Sequence, residues 1–331
     1  MRSFVKRFVR WQYDWSIEIY LGKSPFDFVV FENINNPVLT AKDVTDVPAS
    51  FVADPFMICE NGTWYMFFEV MNAANQQGEI GLAISNDASN WNYQQIVLKE
   101  AFHLSYPYVF KWNNEYYMIP ETRQTNSIRL YKAVNFPHKW LLEKTLIDGK
   151  DYVDSSIFYF NSKWWLFTVS KNSSVLHLYY ADELTDFWRE HPKSPIIKDP
   201  NIARPGGRVV VSNSIVRYSQ DNKYIYGHKI RAFEITELSL TTYQEKEASN
   251  HPVAASGIGW NKTGMHTIDP HQIEQDKWIV CVDGYAGKVS FLGLQFESTI
   301  GISAIGFLSQ NFAWLVDGAK LLIKVKYLNK Y

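Results

Sequence analysis

The chain has 331 residues, 46% of them hydrophobic and 16% aromatic, with 33 basic side chains against 34 acidic ones and a net charge of −1. That balance excludes a nucleic-acid binder, which needs a basic surface to displace counterions, and no run reaches the ~18 apolar residues of a membrane-spanning helix. The length fits one large all-β domain, expected over 1–331.

The first segment, MRSFVKRFVRWQYDW, sets Phe4, Val5, Phe8 and Val9 against Arg2, Lys6, Arg7 and Arg10. This pattern predicts a short basic helix over residues 1 to about 22, packed on the domain or touching a membrane surface peripherally. It lacks the apolar core of a secretory signal, so the expected compartment is the cytoplasm.

From Val38 to Lys326 the sequence reads as strands separated by turn residues. One strand-turn-strand unit recurs at about fifty-residue spacing: Ala53 to Glu69, Tyr106 to Glu121, Asp154 to Ser170, a degenerate copy after Gly206, and Ile268 to Gly284. Short turns are expected at Asn61-Gly62, Asn113-Asn114, Asn161-Ser162, Asp221-Asn222 and Gln275-Asp276. Gly78 to Leu98 and His177 to His191 each supply two further strands. An all-strand repeat of this length predicts a five-bladed β-propeller with short N- and C-terminal extensions. The tail, apolar from Ile300 to Leu315 and basic at its end, is expected to add a closing strand through Leu322, Lys324 and Lys326. Cys59 and Cys281 sit in apolar strands and are expected to be buried free thiols, the alternative being a disulfide between the first and last blades.

Positions that open the inner strands of a propeller converge on its axis, so Asp54, Asp154 and Asp269 are expected to meet there. Paired carboxylates suit glycosyl transfer: one serves as base or nucleophile, and the other, kept protonated by like charge nearby, releases the leaving group. Asp54 in Ala-Asp-Pro-Phe and Asp154 in Asp-Ser-Ser are the candidate catalytic pair; each also reads as a turn residue starting a strand. Glu69 and Glu121 close apolar second strands. Glu121, followed by Arg123, is the candidate ligand contact, and Glu69 caps backbone or reaches the funnel from behind.

Arg204-Pro-Gly-Gly-Arg208 offers guanidinium groups and backbone donors to a phosphate, or is an ordinary tight turn. His228, beside Lys229, is a further anion candidate. Tyr106 and Tyr108 either stack on a sugar or pack between blades. His266, Asp269 and His271 do not have a recognised metal spacing and are assigned to sugar or phosphate contact, so no metal and no cofactor is expected. Serine-hydrolase, P-loop and dinucleotide fingerprints are absent from the sequence.

Several motifs together resemble a known family: Ala53-Asp-Pro-Phe56, Trp64-Tyr-Met-Phe-Phe-Glu69, His103-Leu-Ser-Tyr-Pro-Tyr-Val-Phe110, Tyr117-Met-Ile-Pro-Glu-Thr122, Pro205-Gly-Gly-Arg208, His266-Thr-Ile-Asp-Pro-His271 and Val282-Asp-Gly284. They resemble the N-terminal domain of the plant glucosamine inositolphosphorylceramide transferases and their stand-alone bacterial relatives, over about Phe51 to Gly284. That family is similar in turn to the five-bladed propeller glycosidases of the arabinanase, xylosidase and fructosidase type. The likeness implies a base or nucleophile at Asp54. It puts Tyr106-Pro-Tyr108 where those enzymes carry a second Asp, and Asp154 where they carry a Glu acid. It implies glycan or glycolipid biology ahead of any one reaction. The expected function is therefore glycosyl transfer on a carbohydrate, sugar nucleotide or glycolipid. The alternative is a non-catalytic glycan-binding module that assists a partner glycosyltransferase.

Overall fold

Tight hairpins need two left-handed residues between strands, and Asn, Gly and Ser tolerate that backbone. Asn61 and Gly62 (φ +51° and +82°), Asn113 and Asn114 (+49° and +62°), and Asn161 and Ser162 (+49° and +58°) adopt it. Each joins the first and second strands of one antiparallel sheet. The computed structural model describes residues 9–30, 34–171, 174–222, 226–249, 259–291 and 294–297, with backbone alone at 9–13, 30, 288–291 and 294–297.

The strands form five sheets arranged as the blades of a propeller. Blade one is Ala49–Glu60, Thr63–Asn72, Gln77–Ser85 and Asn92–Leu98. Blade two is Ser105–Trp112, Glu115–Glu121, Ser127–Asn135 and Lys139–Asp148. Blade three is Tyr152–Phe160, Lys163–Ser170, Leu176–Ala181 and Arg189–Glu190. Blade four is Val210–Val211, Ile215–Asp221, Lys229–Leu238 and Tyr243–Glu247. Blade five has inner strands Ile268–Glu274 and Lys277–Phe291, completed by Val9–Ser24 and Asp27–Val30. Ring closure thus joins the chain's first strands to its last blade.

Blade sequences are apolar almost continuously because both faces are buried. In blade one Phe56 and Phe67 pack toward blade two, whereas their neighbours Met57 and Phe68 pack toward Ile17, Ile19 and Ile279 of blade five. Ile157 and Phe158 of blade three divide the same way between blades two and four. Tyr218 and Ile230 of blade four meet Tyr20 and Val280 of blade five. Alternation of period two sends successive side chains to opposite neighbours, and each large one that is fully buried contributes roughly 1.5–3 kcal/mol.

Three expectations change. Residues 9–22 form strand, not helix: Trp15, Ile17 and Ile19 alternate into the core, and that period-two burial outweighs the helical pattern of the residues before them. Cys59 is exposed while Cys281 is buried, and both thiols are free. The Asp221-Asn222 turn follows the second strand of blade four; the hairpin before it turns at 212–214. The expected closing strand at 322–326 and the tail at 300–315 lie outside the described residues.

All the residues discussed below fall in one compact unit, Tyr13–Ala286. A second unit takes in the chain ends, and there Lys288–Phe291 pairs antiparallel with Leu294–Glu297. Among the described residues no helix is long and apolar enough to cross a membrane.

Candidate functional site

The repeat places an identical irregularity in three inner strands. Pairing skips between Ala53 and Phe56, between Ser105 and Tyr108, and between Val153 and Ser156. Inside each bulge stands a non-glycine residue with left-handed backbone: Asp54 (φ +52°), Tyr106 (+47°) and Asp154 (+50°). Such residues cost on the order of 1–2 kcal/mol each, and a bulge re-aims the side chain it carries. In blade four the corresponding stretch reaches Gly207 (φ +142°), where a Cβ would lie 1.7 Å from Ile268 O. Only glycine permits that approach, which seats blade four on blade five through Arg208 N–H to Ile268 O (3.1 Å) and Ile268 N–H to Gly206 O (2.9 Å).

A second tier of acids stands on the neighbouring strands, opposite the residues that open the bulges in blades one and two and opposite Thr267 in blade five. Glu69 pairs with Ala53 and Glu121 with Ser105, and the Asp283 N–H donates to Thr267 O (3.3 Å). Asp54, Glu69, Asp154 and Asp283 are all buried.

These acids are wired across blades. Oδ1 of Asp54 accepts from Thr267 Oγ1 (2.5 Å) and lies 3.7 Å from His266 Nε2, while Oδ2 accepts from Tyr106 N–H (3.2 Å). The Asp54 N–H donates to Asp283 Oδ2 (3.0 Å), and that oxygen also lies 2.6 Å from His266 Nδ1. The other oxygen of Asp283 accepts from the N–H groups of His266 and Thr267, both 2.9 Å. Asp154 accepts from Arg204 Nε and from Gln220 Nε2 (2.8 Å). Trp15 stacks on His266 at 4.1 Å.

Burial and crowding decide the protonation. Burial, only partly offset by His266 and reinforced by Asp283 and Asp154, pushes Asp54 up to about 6. Burial, then Asp154 and Asp54, push Glu121 up to about 7. Glu69 is raised well above the carboxylate range by burial and by Asp54, Glu121 and Asp283. Burial works against a charged His266, but Asp283 and Asp54 outweigh it and raise its pKa. Among the described residues, Asp54, His266 and Asp283 are the one set of three whose ligand atoms lie close enough (within 4.8 Å) to hold a cation.

Asp269 belongs elsewhere. It is fully buried, ion-paired to Arg208, 2.5 Å from Met57 N–H and 2.8 Å from His271 Nε2. Arg208 also donates to Met57 O (3.2 Å) and Val109 O (2.9 Å), and lies 4.8 Å from the Tyr108 ring. The expected meeting of three aspartates is thus corrected: Asp54 and Asp154 share an electrostatic field, and Asp283 joins them in place of Asp269. Asp269 directly follows Ile268 and pairs with Cys281 without a bulge, so its carboxylate goes to Arg208.

Arg208 and His271 pass with Asp269 into this hub brace. Tyr106 is fully buried, its hydroxyl bonded to Ser156 Oγ (2.9 Å) and Gly207 O (3.2 Å), and Tyr108 is buried as well, so both pack rather than stack on a ligand. His228 sits beside Asp221, donating its N–H to Asp221 O (3.2 Å). Glu121 and Arg123 stay together at the funnel, 4.0 Å apart. Sequence reasoning missed Asp283, Thr267 and Gln220. Asp283 did carry a signal: it follows Thr267 by the same interval that separates Glu69 from Ala53 and Glu121 from Ser105.

Comparison with known proteins agrees with this architecture. The family model described as glucosamine inositolphosphorylceramide transferase 1, N-terminal, matches residues 11–285. The protein of that name from Oryza sativa subsp. japonica is 37% identical over 298 residues, covering 82% of this chain and 40% of the relative. Its Arabidopsis thaliana counterpart is 36% identical over 298 residues, covering 82% and 39%. The chain therefore spans about two fifths of the length of the curated relatives it matches. Two solved structures share the fold at low identity. β-1,2-Mannobiose phosphorylase from Listeria innocua has a TM-score of 0.58 at 13% identity, over 81% of this chain and 96% of that one. The GH62 α-L-arabinofuranosidase catalytic domain from Coprinopsis cinerea has 0.53 at 11%, over 83% and 97%.

Proposed function

Because the chain belongs to the N-terminal family of glucosamine inositolphosphorylceramide transferase 1, we propose that its propeller is a carbohydrate-active domain whose acid-lined funnel transfers a glycosyl group from a glycan, sugar nucleotide or glycolipid to an acceptor or to water. The observation that carries this reading is the cluster of Asp54, Glu69, Glu121, Asp154 and Asp283 at one end of the hub, three of them with raised proton affinity.

Asp54 is the base or nucleophile. Its left-handed bulge fixes the carboxylate, and Thr267 and the Tyr106 N–H orient it. Glu121, balanced near neutrality, is the proton donor to the departing oxygen. Asp154, held by Arg204 and Gln220, offers a fixed negative group to an oxocarbenium-like transition state. In hydrolysis the glycosidic oxygen takes the Glu121 proton as the C–O bond breaks. The attacking water gives its proton to Asp54, or Asp54 itself bonds to the anomeric carbon first.

The second reading is a non-catalytic module that presents a glycan to a partner glycosyltransferase. It is favoured by Tyr106, which fills the blade-two position with a hydroxyl already bonded into the core. Incubation with a panel of glycosides, sugar nucleotides and glycolipids in vesicles separates the two. The enzymatic reading expects product that falls by roughly 100-fold or more in Asp54→Asn, with unchanged melting temperature. Saturable binding without product in the wild type refutes turnover and leaves the module.

A further inference from the structure

Arg123 and Lys171 occupy equivalent places on neighbouring blades. Each lies two residues beyond a second-strand position, Glu121 or Val169, that pairs with the bulge-opening Ser105 or Val153. Both therefore leave the same end of blades two and three, above the acids. Lys171 is exposed, and Arg123 is half-buried with 43% of its side chain accessible. Lys171 makes no ion pair among the described residues, and Arg123 has only Glu121 at 4.0 Å.

Arg204, in the next blade, spends its Nε on Asp154 and lies 5.2 Å from the Tyr226 ring. Its terminal nitrogens have no acceptor among the described residues. Arg204 is close enough to Lys171 to lower the lysine's proton affinity, ahead of burial.

Charge below answers these cations only in part: Arg204 is paired with Asp154 and Arg123 lies 4.0 Å from Glu121, while Lys171 has no carboxylate partner among the described residues. Burial and mutual repulsion favour protons on Glu69 and Glu121, Asp154 is paired with Arg204, and Asp283 with His266. A chain of net charge −1 thus gathers three positive side chains at one opening. Cations so grouped repel unless an anion joins them, and two guanidinium groups and an ammonium suit a phosphate or carboxylate.

We infer that the funnel carries an anion subsite in which Arg123 and Lys171, with Arg204 behind them, receive the phosphate or carboxylate group of an acidic saccharide. This rests on the glycan reading above and names the class of its ligand.

Titration calorimetry tests it with neutral methyl hexosides, their 6-phosphates, the matching uronides, and inorganic phosphate at constant ionic strength. The proteins are the full chain and its Arg123→Gln/Lys171→Met variant, whose accessible positions spare the core. At least one acidic sugar is expected to bind ~10-fold or more tighter than its neutral partner, an advantage that the variant loses. Preference for the phosphate or for the uronide identifies the source of the anion. Equal binding of neutral and acidic sugars, or an advantage that survives in the variant, overturns the subsite and leaves the glycan reading intact. Inorganic phosphate bound by the wild type and lost by the variant, with no sugar bound, upholds the subsite and removes the glycan. Binding of nothing removes both.

Discussion

Asp54 and Asp154 carry the same left-handed backbone, φ +52° and +50°, two blades apart. Each sits in a bulge that turns its carboxylate out of the strand's alternation, and each raises the proton affinity of the other's neighbours Glu69 and Glu121. The fold accepts this strain at both sites because the bulge residue is held from the adjoining blades, Asp54 by Asp283, Thr267 and Tyr106, and Asp154 by Arg204 and Gln220.

Backbone strain at Asp54 is separable from its chemistry. Both Asp54→Ala and Asp54→Gly remove the carboxylate, but only glycine relaxes at φ +52°. Asp54→Gly is expected to be more stable than Asp54→Ala by about 1 kcal/mol, read by urea unfolding, with both inactive. Equal stability contradicts the strain.

If Asp54 acts as base and Glu121 as acid, turnover has two limbs. Activity rises as pH passes about 6, where Asp54 loses its proton, and falls as pH passes about 7, where Glu121 does. These values belong to the coupled pair as a whole. Glu121→Gln is expected to abolish the alkaline limb and lower the rate by roughly 100-fold or more. A pH–rate profile of that variant retaining the limb assigns the acid elsewhere.

Glu69 gives a stability prediction of definite sign. Its proton is held more tightly in the folded chain than in the unfolded one, so its contribution is intact below the ordinary carboxyl range and is lost as pH rises through the folded value. Melting temperature should therefore fall as pH rises from acid toward neutral. Glu69→Gln should flatten that fall and stabilise the protein by on the order of 1 kcal/mol at neutral pH. A variant that melts lower than wild type at pH 7 runs against this.

Arg208 and Asp269 brace the hub rather than serve a ligand. Breaking a buried pair by removing one partner costs about 3–5 kcal/mol; Asp269 is fully buried and Arg208 largely so, so Asp269→Asn and Arg208→Met are each expected to lower stability by about the lower end of that range. Double-mutant cycles in denaturant measure the coupling. Additive effects contradict the brace.

Much of the fold was legible because repetition writes itself into sequence. The aromatic strands and their Asn-Gly, Asn-Asn and Asn-Ser turns fixed hairpins, and the hairpin spacing fixed the blades. Asp54 and Asp154 were legible through the same register. The strand at 9–24 was not, because one of its two pairing partners lies more than two hundred residues away in blade five, the adjacent one is only four residues long, and local helical periodicity masks it. Asp269 misled for a related reason. It opens the last repeat, yet its strand pairs with Cys281 without the bulge that aims Asp54. Asp283 escaped notice because it lies inside a long second strand, Lys277–Phe291, and only pairing with Thr267 reveals it as the counterpart of Glu69 and Glu121.

The most direct measurement is a crystal structure of the full chain bound to a saccharide selected by titration. The account expects the sugar in the funnel, with ring oxygens or hydroxyls at hydrogen-bond distance, about 3 Å, from Asp54 and Glu121. A saccharide bound on the outer strands of the blades, with these two carboxyl groups untouched, contradicts it.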